Sequence, residues 1–139
     1  MTNTEAPLIG GKSLEEWDRG WNTVEHGLTR LQSDLRDKAG LYRIRHNGRI
    51  MALGVGTDKG GGLRKRLSDF RRPSPSGRGH HAGALIHEHL TELTVQVLIT
   101  GTGREAREVA KQLKRPMLLR HPARWSDPAQ PYLIGGKAR

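Results

Sequence analysis

Three consecutive cations, Arg64, Lys65 and Arg66, follow a tract of three glycines at 60–62. Glycine has no Cβ, so a backbone built from it can approach a ligand closely. The ammonium and guanidinium groups that follow are the side chains that bind phosphate oxygens most strongly. The glycine tract and the cations together predict a phosphate-binding site at the start of a helix.

The distribution of charge supports an anionic partner. The 139 residues carry a formal net charge of +10. Residues 1–39 hold five Lys or Arg against seven Asp or Glu, residues 40–81 hold ten against two, and residues 82–139 hold nine against five. Cations placed on phosphates release condensed counterions, which favours binding of polyanions. The basic middle third therefore predicts binding of DNA, or of RNA, rather than a small neutral ligand.

Composition excludes several other classes of function. The chain has no cysteine, which removes disulfides, zinc–thiolate sites and cysteine nucleophiles. Its N-terminal residues lack the basic and apolar regions of a signal peptide, and no stretch approaches the run of about 20 apolar residues that crosses a bilayer. We expect a single cytoplasmic domain with no membrane contact.

Two strands and a helix are predicted to hold the cations. Residues 41–45 alternate between apolar and polar side chains and read as a strand. Asn47-Gly48 is a strong hairpin signal, and 49–55 reads as the return strand. Leu63, Leu67 and Phe70 then share one face of a helix that carries the cations.

A third strand and a further helix follow. Residues 82–90 predict a short helix, and the alternation of apolar residues over 93–99 predicts the third strand. The next helix begins at Thr102 or Gly103 and is expected to stop before Pro116, because proline cannot continue the hydrogen-bond ladder.

The N-terminal region is predicted to be one amphipathic helix. Ser13 is a suitable N-cap, and apolar residues then recur at three- and four-residue steps to about Arg36. The face with Trp17 and Trp21 is expected to pack on the domain, or to bind a protein partner. We divide the chain into a flexible arm at 1–12, an N-terminal helical segment at 13–38, a domain at 39–116 and a proline-rich, extended tail at 117–139.

One pentapeptide, Leu-Ile-Gly-Gly-Lys, occurs at both 8–12 and 133–137. Two copies do not define a structural repeat. We expect similar strand-like settings for the two copies.

The order of strand, strand and helix resembles the GIY-YIG nuclease domain over residues 39–116. That family folds around a three-stranded antiparallel sheet and cuts DNA with one divalent metal ion. Gly40-Leu41-Tyr42 corresponds to its Gly-Ile-Tyr motif, and Ala52-Leu53-Gly54 to its Tyr-Ile-Gly motif. The family's Leu-x-x-Arg-Leu pattern fits 63–67 and places its arginine at Arg66, with Arg64 as the alternative.

The resemblance also implies a glutamate that binds Mg²⁺ or Mn²⁺ on the helix after the third strand. Glu105 flanks the apolar face of that helix, whereas Glu108 points about 150° away from it. The spacing to Pro116 fits Glu108 better. A third alignment, on Ala106, places Ala110 at the glutamate position and leaves no ligand.

These residues could divide the work of phosphodiester hydrolysis. Tyr42 is the candidate base if nearby cations lower its pKa, Arg66 clamps the phosphate, and Glu105 holds the metal. His81 is a candidate proton donor. The other cations predicted to contact nucleic acid are Arg43, Arg45, Arg64, Lys65, Arg71 and Arg72.

Three positions depart from the family pattern. Ala52 replaces the second tyrosine, Phe70 stands where many members have histidine, and Leu119 lies near the usual asparagine. The first hypothesis is therefore a metal-dependent DNA endonuclease of α+β fold. The alternative is a catalytically inactive module of that fold that binds DNA, RNA or a protein partner.

Two other chemistries lack their motifs. His87-Glu88 is not followed by a second histidine, since Thr91 occupies that position, so the zinc-protease pattern is absent. We expect the histidines between 80 and 89 to lie on loops or on the surface. Gly11-Lys12-Ser13 is not a P-loop, because Ala6 stands where that motif needs glycine.

Overall fold

The computed structural model describes residues 8–29, 31–70, 86 and 89–123, together with two short strands near the C-terminus. The helices with described bounds are α1 (Leu14–Asp18), α2 (Gly62–Asp69) and α3 (Gly103–Arg120). The strands are β1 (Asn22–Val24), β2 (Lys38–His46), β3 (Arg49–Gly56), β4 (Thr94–Thr102), β5 (Leu133–Ile134) and β6 (Lys137–Ala138). Short 3₁₀ turns occupy Ser33–Leu35 and Leu90–Glu92.

The first four strands form one antiparallel sheet in the order β1-β4-β2-β3. This arrangement confirms the α+β class, but the prediction of three strands was wrong by one, because β1 adds to the edge of β4. The β2–β3 hairpin is confirmed. Asn47 and Gly48 have φ values of 54° and 82°, the left-handed pair that a two-residue hairpin turn requires.

Side chains alternate between the two faces of this sheet, so each face has its own core. The core on the α2 face contains Tyr42, Ile44, Ala52, Leu63, Leu67, Phe70, Val95 and Val97. The core on the α3 face contains Leu41, Leu53, Leu98, Ala110, Leu113 and Met117. The fold is therefore a sheet between two helices, and neighbouring residues of β2 belong to different sides of the molecule.

The long N-terminal helix is not formed. Ser13 caps α1 as predicted, through a capping box with Glu16, but the helix ends at Asp18. The backbone at His26 and Gly27 then takes positive φ values of 67° and 53°, which a helix does not contain. The prediction of helix to Arg36 was therefore wrong.

Packing explains why the regular apolar spacing did not give a helix. Trp17 belongs to the core on the α3 face, whereas Leu28 and Leu35 belong to the core on the α2 face. One straight helix could not bury side chains on both faces of a sheet. The segment instead wraps around the sheet edge, where β1 pairs with β4.

Helix α3 continues past Pro116, which corrects the predicted stop and moves the start of the tail beyond Arg120. Proline within a helix removes one hydrogen bond, at a cost of about 3 kcal/mol. Met117, one residue later, is fully buried against the sheet. Because the apolar face of the helix continues through this turn, its burial offsets the missing hydrogen bond.

The end of α3 is tied to α1 through one carboxylate. Asp18 accepts a hydrogen bond of 2.8 Å from the Trp21 indole, lies 2.8 Å from His121 Nε2, and pairs with Arg120 at 3.0 Å. Burial alone would raise the pKa of Asp18, but hydrogen bonds from His121 and Trp21 and the charges of His121 and Arg120 hold it below its usual value. Asp18 thus joins the last residue of α1 to the C-terminal end of α3.

In both copies of the pentapeptide the isoleucine and the lysine pair in antiparallel fashion, which agrees with the expectation of similar strand-like settings. Ile9 pairs with Lys12 through hydrogen bonds of 2.8 and 3.1 Å, and Ile134 pairs with Lys137 in the β5–β6 hairpin. The indole of Trp17 donates a 2.6 Å hydrogen bond to Ile9 O. Residues 8–12, predicted to be a flexible arm, are therefore anchored to α1.

Among the described helices, none is both long enough and apolar enough to cross a membrane.

Candidate functional site

Tyr42 is part of the core rather than a free hydroxyl in a cleft. Its ring meets the edge of Phe70 at 5.5 Å between centroids, and a Cβ built on the facing Gly54 would lie 2.5 Å from its hydroxyl. Burial raises the pKa of Tyr42 to about 12, although the charge of Arg66 acts in the opposite direction. A general base at neutral pH needed a lowered pKa, so the shift opposes that predicted role.

The buried hydroxyl predicts a loss of stability in alkali. Because the folded pKa of about 12 exceeds the unfolded value of 10.0, folding favours the protonated form. Tyr42 should therefore stabilise the fold below pH 10 and lose that contribution as the pH rises towards 12. The free energy of unfolding should fall by about 1.4 kcal/mol for each unit of the pKa difference. Urea unfolding of the wild type and of Tyr42→Phe between pH 9 and 12 measures this loss of stability.

The phenylalanine variant is the control for every other group that titrates in this range, because only Tyr42 differs. The wild type should lose stability relative to Tyr42→Phe as the pH rises. Parallel stability curves for the two proteins would contradict a buried Tyr42 hydroxyl.

The three residues predicted to cooperate in hydrolysis are divided by the sheet. Arg66, on α2, is close enough to Tyr42 for its charge to act on the hydroxyl. Glu105 lies on α3, on the other face, and lines a surface groove with Trp17 and Gly101. The structure therefore brings Tyr42 and Arg66 together but leaves Glu105 apart.

Position along the strands separates them further. Tyr42 pairs with Val97, whereas the first turn of α3 is held at Thr100, whose hydroxyl donates a 2.7 Å hydrogen bond to Ala106 O. Three to four residues of strand correspond to about 10–13 Å. Glu105 is therefore displaced from Tyr42 both along the sheet and across it.

Mg²⁺ or Mn²⁺ does not fit this arrangement as a shared catalytic ion. Glu105 and Glu108 are both exposed, and Glu108 lies 3.6 Å from Lys111. An ion on either carboxylate would lie across the sheet from a phosphate held by Arg66. Among the described residues, the group of three side chains that could hold a metal is a different one, formed by His46, His89 and Glu92.

The glycine tract does not form the predicted opening for a ligand. Gly62 packs directly against the carbonyl oxygen of Lys38, and a Cβ on Gly56 would lie 2.8 Å from Leu63 Cα. Absence of side chains at these positions lets α2 approach the sheet closely. The small cavity beside the tract is lined by Asp37 and Asp58 as well as by Arg107, so it is not the purely cationic opening that was predicted.

Several cations predicted to contact nucleic acid have protein partners. Arg43 donates a 2.6 Å hydrogen bond to Gln96 and stacks 4.3 Å over Trp21, on the α3 face. Arg45 donates to Gly48 O at 2.9 Å. Lys65 pairs with Asp58 at 3.4 Å and with Asp69 at 3.3 Å.

The Arg64 guanidinium is half-buried on α2, with its Nε atom buried and without a hydrogen-bond partner among the described residues. Arg71, Arg72 and His81 lie outside the described residues, as does most of the predicted helix at 82–90.

Another basic surface emerges on α3, and we call it the α3 basic face. Helix α3 carries six Lys or Arg against two Glu. Five of its cations follow one another at helical spacing and fall within an arc of about 100°, centred about 120° around the helix from the buried residues. The members are Arg104, Arg107, Lys111, Lys114 and Arg115.

Four of these side chains are exposed, and Arg107 is half-buried. Lys111 pairs with Glu108 within the helix, an exposed contact that a phosphate could replace at little cost. The spacing of the cations was visible in the sequence. The excess of Lys and Arg over Asp and Glu is larger in residues 40–81, which is why the sequence favours that region instead.

Comparisons with models of known protein families, with curated proteins and with solved structures returned no match.

Proposed function

We propose that this protein binds nucleic acid through the α3 basic face. The observation that carries the proposal is the alignment of five cations within one arc of a helix whose apolar side is buried against the sheet. Such a helix is held rigidly, so its cations are presented together without first ordering the backbone.

The dimensions of the surface suit a phosphate backbone. From Arg104 to Arg115 the helix rises about 17 Å, at about 1.5 Å per residue. Duplex DNA carries about ten phosphate charges over that length. Exposed Lys and Arg side chains can contact several of them at once, and each contact releases counterions.

Binding without cleavage is the better supported form of this function. The carboxylate predicted to hold the metal lies across the sheet from Arg66, and burial raises rather than lowers the pKa of Tyr42. This separation opposes a single ion shared by the three groups, and so supports binding without cleavage. The inactive binding module, weighed as the alternative on sequence grounds, is therefore the form that we propose.

One observation favours cleavage as a second candidate. Tyr42 lies on β2, one of the two central strands, and the charge of Arg66 acts on its hydroxyl. Arg66 is the position to which the GIY-YIG resemblance assigned the family's arginine. If the resemblance is correct, these two side chains form half of a nuclease site.

A salt titration of DNA binding tests the proposal. We expect the protein to retard a short duplex in a gel, with the logarithm of the association constant falling linearly against the logarithm of salt concentration. Five phosphate contacts predict a slope of about −4.5, and three predict about −2.7. Absence of retardation, or a slope near zero, would exclude phosphate contacts as the main interaction.

A cleavage assay on the same complexes separates the two candidates. Incubation with Mg²⁺ or Mn²⁺ should leave single- and double-stranded DNA intact. Nicking that is lost in both Arg66→Ala and Glu105→Gln would instead establish the nuclease. The single-stranded and RNA versions of the probe show which polyanion binds most tightly.

A further inference from the structure

A cluster of two imidazoles and one carboxylate lies at the end of the sheet opposite to the first turn of α3. His46 is the last residue of β2, and Glu92 closes the 3₁₀ turn that leads into β4. Arg45 pairs with Thr94 across the two strands, so the antiparallel register brings the end of β2 beside the segment just before β4. His89 precedes the same turn, and the fold therefore fixes all three backbones.

The side chains converge on one oxygen atom. Glu92 Oε1 lies 2.9 Å from His46 Nε2 and 3.2 Å from His89 Nδ1. The three atoms lie within 4.8 Å of one another, and the two rings are 4.9 Å apart between centroids. Ligand atoms around a tetrahedral zinc ion, each about 2.0–2.2 Å from the metal, are separated by about 3.3–3.5 Å. Small side-chain rotations therefore suffice to admit an ion between them.

The chemical character of these donors selects among metals. Two imidazole nitrogens and one carboxylate oxygen match zinc and related first-row transition metals, whereas Mg²⁺ prefers oxygen ligands alone.

The site is open on one side. The His46 and His89 side chains are 20% and 28% exposed, while Glu92 is 58% exposed. A metal can therefore enter from solvent through the carboxylate side. Three protein ligands leave a fourth position for water or another ligand, as in zinc sites that are not purely structural.

We propose that His46, His89 and Glu92 form a binding site for a transition-metal dication, with Zn²⁺ the best match. Its donors and its place at the β2–β4 strand ends differ from those of the oxygen-ligand ion predicted at Glu105. The sequence did not reveal it, because His46 is separated from the other two ligands by more than forty residues and the strand register that joins them is tertiary information.

Zinc binding by the full-length, metal-stripped protein tests the site. Isothermal titration with Zn²⁺ alone should give one equivalent per chain and raise the melting temperature, because the ion binds only the folded arrangement. His46→Gln and Glu92→Gln each keep a group able to hydrogen-bond within the cluster but remove a metal ligand. Each should weaken zinc binding by about a hundredfold or more.

His26→Gln is the matched control, since His26 is an exposed histidine outside the cluster. It should bind zinc as the wild type does. The proposal is overturned if the wild type binds no zinc, or if His46→Gln and Glu92→Gln bind with wild-type affinity, which would assign the ion to other histidines. Circular dichroism without metal confirms that each variant is folded, and either ligand variant alone suffices for the test.

Discussion

Replacing Arg104, Lys111 and Arg115 with glutamine should weaken binding to duplex DNA by about a hundredfold or more near 0.1 M salt. These three residues lie within about 40° of one another on the α3 basic face, at steps of seven and four residues. Each phosphate contact contributes about −0.9 to the salt slope, so losing three should reduce the slope by about 2.7. Fluorescence anisotropy with a labelled duplex at several salt concentrations measures both quantities.

A second triple variant controls for total charge. Arg36, Arg49 and Lys59 are exposed cations outside α3, and their replacement by glutamine removes the same formal charge. If contacts on α3 dominate, this protein should keep most of its affinity and nearly the wild-type slope, because distant exposed charges are screened at this salt concentration.

Equal losses in the two triple variants would contradict a localised surface and indicate a diffuse electrostatic attraction. The glutamines themselves should not unfold α3, since they are good helix formers at exposed positions. Thermal melting of both variants verifies this.

Gly40→Ala should destabilise the fold by about 3 kcal/mol or more. A Cβ at this position would collide with the carbonyl oxygen of Leu98 and would lie 3.0 Å from Ile99 Cα. Both atoms belong to the β4 backbone, at the bulge where β2 and β4 change register. Relief requires the two central strands to separate, so the clash cannot be absorbed by a side-chain rotation.

Gly20→Ala is the matched control, because the atom closest to the same methyl group there is the end of a side chain rather than the backbone. Its nearest neighbour would be Leu98 Cδ1 at 2.9 Å, and Gly20 is exposed. Both substitutions stiffen the unfolded chain to a similar degree, so that effect cancels in the comparison. We expect Gly20→Ala to change stability by less than about 1 kcal/mol.

Urea unfolding followed by tryptophan fluorescence measures both glycine variants, since Trp17 is buried in the folded state. A similar midpoint for Gly40→Ala and Gly20→Ala would contradict the close approach of β2 to β4.

Local signals in the sequence predicted the elements that local forces determine. Asn47-Gly48 specified the β2–β3 hairpin because both residues tolerate the left-handed backbone of its turn. The spacing of Leu63, Leu67 and Phe70 specified α2, and all three side chains are buried. These features depend on residues close together in the chain.

Elements that depend on distant contacts were predicted less well. The apolar spacing from Trp17 to Leu35 is compatible with a helix, but the two ends of that segment pack on opposite faces of the sheet. Pro116 is a valid stop signal that burial of Met117 overrides. In both cases the outcome depends on which side chains are buried in the folded protein, and the local sequence pattern does not report this.

The candidate site shows the same division. The sequence placed Tyr42 and Arg66 on neighbouring elements, and the structure brings them together. Alternation along β2 assigned Tyr42 to one face of the sheet. Which face α3 would cover was not determined, and that choice separates Glu105 from Tyr42. The pKa of Tyr42 likewise depends on burial that strand alternation does not report.

The pairing of β2 also bears on the order in which the chain folds. On one side β2 joins β3 through a two-residue turn, and on the other it joins partners about fifty residues or more further along the chain. Closing the longer loop costs more chain entropy, so we expect the hairpin to form before β4 docks. A substitution that strains the β2–β4 junction, such as Gly40→Ala, would then disturb contacts that form late in folding. We expect it to raise the unfolding rate more than it lowers the folding rate.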